Sequence, residues 1–128
     1  MWHKIVLIGR LGRDPELRFT PAGKQVTSFN VAVDDGFGDN KKTIWLRVSA
    51  WDKLAETCNN HLKKGSLVLV EGRLTADPAT GSPRIFKKQD GTEGASFEIA
   101  ASAVRFLSSK GEPIDDAPVM ASQEEIPF

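Results

Sequence analysis

The sequence predicts an all-β fold class with one helix, and three observations predict it. Apolar and polar residues alternate in several short runs, the period-two pattern of half-buried strands. Clusters of Gly, Pro, Asp and Asn separate those runs. Only one segment, residues 52–62, repeats its apolar residues at helical spacing.

Each element follows from local chemistry. Residues 4–9 (KIVLIG) are rich in β-branched side chains and read as the first strand. Gly9, Gly12, Asp14 and Pro15 punctuate the next stretch, and residues 16–20 either extend that strand or return along it. Pro21, Ala22, Gly23 and Lys24 form a turn. Residues 26–33 are a second long strand, with Phe29, Val31 and Val33 on one face. Residues 34–42 (DDGFGDNKK) are a polar, Gly-rich loop carrying one aromatic, Phe37. Residues 43–51 (TIWLRVSAW) are the third strand.

Asp52 is a suitable N-cap for the helix, because its carboxylate can accept from a free first-turn amide. Leu54, Cys58 and Leu62, with Ala55 beside them, make its apolar stripe. Lys63 and Lys64 suit the helix C-terminal dipole, and Gly65 is placed as the C′ stop. Residues 67–74 (LVLVEGRL) are the fourth strand. Residues 75–83 hold two prolines and a glycine and read as a loop. Residues 84–88, the Asp90-Gly91 turn and residues 95–106 read as a hairpin leading into the last strand. Three strands, a helix, then further strands is the order of the five-stranded OB-fold barrel. In that fold the helix between strands 3 and 4 plugs one end, and one face with its loops commonly binds oligonucleotides or oligosaccharides.

At 128 residues, 40 % of them hydrophobic and 27 % charged, the chain suits one globular domain with a real core. No run approaches the ~20 apolar residues of a membrane helix, and the apolar run at residues 5–8 is too short for a signal peptide. A cytoplasmic protein is therefore expected. Cys58 is the only cysteine, so no internal disulfide forms. With His3 and His61 it makes no zinc spacing, so no metal and no cofactor is expected.

The formal net charge of zero hides a polarity. Residues 111–128 hold five acids and no Lys or Arg, which leaves 17 bases against 12 acids in residues 1–110, a net +5. A basic body with an acidic tail suggests a polyanion partner for the body. The tail from residue 108 lacks the apolar residues to bury a core and reads as disordered.

The third strand carries the main functional signal. Ile44, Leu46, Val48 and Ala50 make an aliphatic face; Trp45, Arg47, Ser49 and Trp51 make the other. Phe37 precedes this strand and Phe86 lies in the later RIFKK arm, while Lys41, Lys42, Arg47, Arg73, Arg84, Lys87 and Lys88 surround these rings. Exposed rings interleaved with cations suit a single nucleic-acid strand: bases stack on the rings and phosphates meet the cations. The tryptophan face alone equally fits a protein–protein interface, because aromatics and Arg are enriched there too. No catalytic set accompanies it. The acids of the body are scattered, no Ser or Cys lies beside a motif-borne His, and no Gly-rich loop opens a helix, so an enzyme is not expected.

Longer motifs narrow the reading. IVLIGRLGRDPELR (residues 5–18), WLRV (45–48), KLAE (53–56) and LKKGSLVLVEGRL (62–74) occur in that order, and the chain ends in EEIPF (124–128). In these motifs the chain resembles the bacterial single-stranded DNA-binding proteins, over residues 1–107 and the last five. The resemblance implies an OB-fold, a homotetramer and wrapping of single-stranded DNA without sequence preference. It further implies roles in DNA replication, repair and recombination and a bacterial, nucleoid-associated location. Trp45 matches the family's stacking tryptophan of strand three, and Trp51 stands where a stacking phenylalanine is usual. Phe37 and Phe86 stand where the family has tryptophans in the loop and the arm. The division implied is an OB domain over residues 1–107, a short linker over 108–123 and a partner-binding tip. That tip, Glu124, Glu125, Ile126, Pro127 and Phe128, is expected to recruit replication, recombination and repair proteins. The chain departs from the family pattern in its short linker and in the ADPATGSP insert at residues 76–83.

Overall fold

The computed structural model describes residues 1–108. The chain order is β1 (Ile5–Leu11), β2 (Glu16–Phe19), β3 (Gln25–Asp35), a single 3-10 turn (Gly38–Asn40), β4 (Lys42–Trp51), α1 (Asp52–His61), β5 (Leu67–Thr75), β6 (Arg84–Lys87) and β7 (Glu93–Phe106). Five strands close into a barrel in the order β1-β5-β7-β4-β3, with β3 returning to β1. The predicted OB-fold barrel is therefore present, with one helix between its third and fourth barrel strands. β2 and β6 are short additions paired to β3 and β7 respectively. Residues 16–19 thus return along β3 and do not extend β1.

Closure depends on β1 changing partners along its length. Ile5 to Arg10 pair with β5, and Arg10 and Leu11 also pair with β3. At the crossing, a Cβ on Gly9 would run into the Ala32 carbonyl oxygen and lie 2.6 Å from the Val31 side chain. Only glycine lets the two backbones come that close. Gly72 does the same on the opposite side, where β5 slips register against β7 and a Cβ would meet the Ala100 carbonyl oxygen.

Alternation then fills the interior. Leu7 and Leu11 from β1, Phe29 and Val31 from β3, Val48 and Ala50 from β4, Val68 and Val70 from β5, and Ile99 from β7 form one buried cluster. Helix α1 closes one end by adding Cys58, and Leu62 joins just beyond it, as the predicted stripe requires. The helix is fastened by a buried hydrogen bond, in which the Thr27 hydroxyl donates to the Ala55 carbonyl at 2.7 Å. Burial pushes the Cys58 thiol pKa from 9.0 up to about 11.

The helix ends differ from expectation. Trp51 is the N-cap, in extended backbone and without a side-chain cap bond, and Asp52 opens the helix in the left-handed region, at φ +56. The chain turns abruptly out of β4 into the helix, and Asp is one of the few residues tolerant of that left-handed conformation. At the other end Leu62 is the C-cap, so Lys63, Lys64 and Gly65 lie past the helix. Gly65, at φ +89, serves a separate tight turn in which the Ser66 amide donates to the Lys63 carbonyl at 3.0 Å. The Lys64 amide is bound instead by the Asp14 carboxylate, at 2.8 Å.

Candidate nucleic-acid interface

The outward faces of β3, β4 and β7 meet in rows set by strand register. One row runs Asn30–Arg47–Glu98, the next Ser28–Ser49–Ala100–Arg73, and Trp45 stands opposite Ala32. Partners in a row share a face, about 5 Å apart from strand to strand. β6 extends this surface. Arg84 pairs with Ser96 and Phe86 with Gly94, so both point to the Trp45 side. The Phe86 ring lies over Gly94, where a Cβ would come within 2.9 Å of it. Nearly half of the Phe86 surface is open all the same, so it packs in its hairpin and still faces solvent.

These strands enclose an open groove of about 800 Å³. Trp45, Arg47, Arg84 and Phe86 line it together with Gly12, Arg13 and Asn30. Trp45 is 53 % exposed and Phe86 45 % exposed, unusual for rings of this size unless something else covers them. Two cationic side chains and two rings therefore share one concave surface, joined by Arg13 from the β1–β2 turn.

One acid interrupts this basic lining. Glu98 stands in the groove beside Arg47 in register. Its Oε2 accepts from the Ser96 hydroxyl at 2.8 Å, and its Oε1 lies 3.9 Å from the Arg84 guanidinium. Arg13, Asn30, Ser96 and Glu98 are absent from the sequence-based site. Arg13 belongs to a Gly- and Asp-rich turn and gives no sign of its direction. Glu98 and Ser96 are recognisable only through the parallel pairing of β4 with β7, which no local pattern reports.

The other predicted residues lie away from this groove. Trp51, 43 % exposed, is six residues along β4 from Trp45, hence about 20 Å away on the same face. Its register partner Val26 also pairs with Arg18, which brings a further cation to that end. Phe37 is almost fully exposed beyond the end of the β3–β4 hairpin. Lys41 is held there by Asp34 at 3.4 Å, and Lys42 opposes Asp35. Arg73 lies two strands from β4 across β7. Lys87 alternates to the opposite face of β6 from Phe86, and Lys88 begins the hairpin turn. That turn is the predicted Asp90-Gly91 one. The Asp90 carboxylate accepts from the Thr92 hydroxyl and amide, which lowers its pKa. The insert at residues 76–83 closes on itself, with the Asp77 amide donating to the Ser82 carbonyl at 2.9 Å. Glu124, Glu125, Ile126, Pro127 and Phe128 lie outside the described residues.

Among the described residues no group of three or more His, Cys, Asp or Glu is arranged to hold a metal ion. No helix among them is long and apolar enough to cross a membrane.

Comparison with known proteins agrees with this architecture. The profile of the single-strand binding protein family matches residues 2–107. A "Single-stranded DNA-binding protein" of Neisseria meningitidis serogroup A is 36 % identical over 121 residues, covering 91 % of this chain and 66 % of the relative. One of the same name from Oceanobacillus iheyensis is 40 % identical over 114 residues, covering 87 % of this chain and 66 % of its own. "Single-stranded DNA-binding protein 1" of Chlorobaculum tepidum is 47 % identical over 77 residues, or 56 % of this chain and 48 % of the relative. The chain thus spans just under two thirds of the length of the first two of these curated relatives. With a profile match across nearly all the described residues, on a closed five-stranded barrel, the chain belongs to the single-strand binding protein family.

Proposed function

We propose that this protein binds single-stranded DNA without sequence preference and coats and protects it. The observation that carries the reading is the groove in which Trp45, Phe86, Arg47, Arg84 and Arg13 converge. Rings with open faces suit unpaired bases, and every base has a face to stack, so preference is weak. Guanidinium groups between the rings suit phosphates, or stack on bases themselves. The names of the relatives support the same ligand. Trp51, about 20 Å along β4, then serves a base several nucleotides away on the same strand, with Phe37, Lys41, Lys42, Arg73, Lys87 and Lys88 as outlying contacts.

The assembly we infer is a homotetramer. From Ile5 to Gly9 the strand β1 pairs only with β5 among the described residues, which leaves one backbone edge open. Val6 beside it is half exposed. An open edge with an apolar side chain is a template for a second copy. The tip, Glu124 to Phe128, is read as a recruiting device for replication, recombination and repair proteins: two apolar anchors, a proline and a free carboxylate suit a basic pocket.

Titration with poly(dT) tests the DNA reading. Tryptophan emission is expected to be quenched, and affinity to fall linearly with salt on logarithmic axes. Trp45→Ala is expected to weaken binding more than Trp51→Ala, because only Trp45 shares the groove with Phe86 and three arginines. Unchanged emission at low salt would refute stacking. Loss of assembly with intact DNA affinity in the double alanine variant would favour a protein-binding role for this face.

A further inference from the structure

We propose that Gly12 is a positioning residue for the Trp45 indole, a backstop that holds the ring in the groove with a face turned to the incoming base. The proposal rests on the reading that Trp45 stacks on bases. Gly12 follows the last residue of β1, and its amide donates to the Asn30 carbonyl at 3.1 Å, so its backbone is fastened to β3. Its φ is not among the positive ones. An L-residue other than proline therefore suits this φ, and the space beside it is what excludes a side chain.

That space is taken by Trp45. A Cβ on Gly12 would lie 2.6 Å from Cζ3 and 2.7 Å from Cη2 of the indole, and 3.8 Å from Cε3. Cε3 is bonded to Cζ3, yet it is 1.2 Å farther away. Such a difference arises only when the approach is towards the rim of the ring. Gly12 thus abuts the outer edge of the six-membered ring and leaves the ring faces uncovered on that side. The indole is 53 % exposed, and an exposed ring loses rotamer freedom when a base stacks on it. An edge contact against a fastened backbone limits that freedom beforehand, which lessens the ordering cost of binding.

A methyl group at position 12 must drive the indole edge outward by about 0.8 Å to restore an ordinary 3.4 Å contact. Phenylalanine at position 45 lacks the Cζ3–Cη2 edge and does not reach the methyl. The test is a cycle of four proteins: wild type, Gly12→Ala, Trp45→Phe and both together. Affinity is read by fluorescence polarisation of a dye-labelled dT oligomer. Gly12→Ala is expected to weaken binding about fivefold, the low end of one stacked base. On the Trp45→Phe background the same change is expected to alter affinity less than twofold. Equal losses on both backgrounds, or no loss on either, overturn the proposal. If Gly12→Ala alone fails to fold, rescue by Trp45→Phe supports the contact and failure of the double variant overturns it. Trp45→Ala with undiminished affinity refutes stacking itself, separately from the backstop. The backstop is then read in the free protein: in a W2F/W51F background, Gly12→Ala must change iodide quenching of Trp45, and unchanged quenching overturns it.

Discussion

Replacing Glu98 by Gln is expected to tighten DNA binding. The carboxylate occupies a groove otherwise lined by Arg13, Arg47 and Arg84, and its side chain is only 17 % exposed. Gln preserves its shape and retains an oxygen for the Ser96 hydroxyl, now at 2.8 Å, so the arm geometry is kept. Two effects follow from the lost charge. Arg84, 68 % exposed, is released from a pair 3.9 Å long; exposed pairs of this kind are worth about 0–1 kcal/mol. A phosphate about 7 Å from the carboxylate, at an effective dielectric near 40, is also spared about 1 kcal/mol of repulsion. Together these amount to about 1–2 kcal/mol, or about five- to thirtyfold in affinity at low salt. The salt dependence carries a second signature. If Arg84 now neutralises a full phosphate, the slope of log K against log salt steepens by about 0.7. The assay is polarisation of a labelled dT oligomer from about 50 to 300 mM salt, with melting measured on the same samples. Weaker binding by a Glu98→Gln protein of unchanged melting temperature would refute the electrostatic reasoning. It would assign Glu98 instead to hydrogen bonding with a base or to holding Arg84 in place.

Three more outcomes are expected. Thr27→Val removes the buried hydrogen bond to the Ala55 carbonyl, which ties α1 to β3; a loss of about 1 kcal/mol in urea unfolding is expected, and a neutral result would deny that tie any net value. Cys58 ionises near 9.0 in the unfolded chain but near 11 when buried, so the folded state holds its proton over that interval; stability from this source is complete below pH 9 and falls as pH rises to 11. Cys58→Ala is expected to flatten that part of the pH–stability curve, and prompt thiol labelling of the native protein at pH 8 would contradict the burial. Deleting Glu124 to Phe128 is expected to abolish pull-down of replication and repair proteins while leaving poly(dT) affinity equal or higher, because it also removes two acids of like charge to phosphate; weaker DNA binding after the deletion would contradict this.

Where a property depends on neighbours along the chain, it was legible beforehand. Alternation in TIWLRVSAW separated the buried Val48 and Ala50 from the exposed Trp45 and Trp51. The stripe through Ala55, Cys58 and Leu62 located the helix, because its period is intrinsic to one turn of backbone. The helix ends were less legible. Asp52 carries the right chemistry for a cap, but the turn out of β4 sets its φ before capping can act.

Residues at the site divide along the same line. Trp45 and Arg47 lie two apart on one strand, so a period of two puts them on one face whatever the fold. Their meeting with Phe86 and Arg84 requires β6 to pair with β7 and β7 to lie parallel to β4, the latter joining partners such as Leu46 and Phe97 that are far apart in the chain. The same pairing carries Glu98 into the groove and turns Lys87 out of it. The sequence by itself thus determined the element types, the faces and the family to which the chain belongs, since local periodicity and short motifs encode them. Tertiary structure alone decided which faces join into one groove and what braces Trp45. Register between distant strands and the space left by a missing Cβ arise only when the barrel closes.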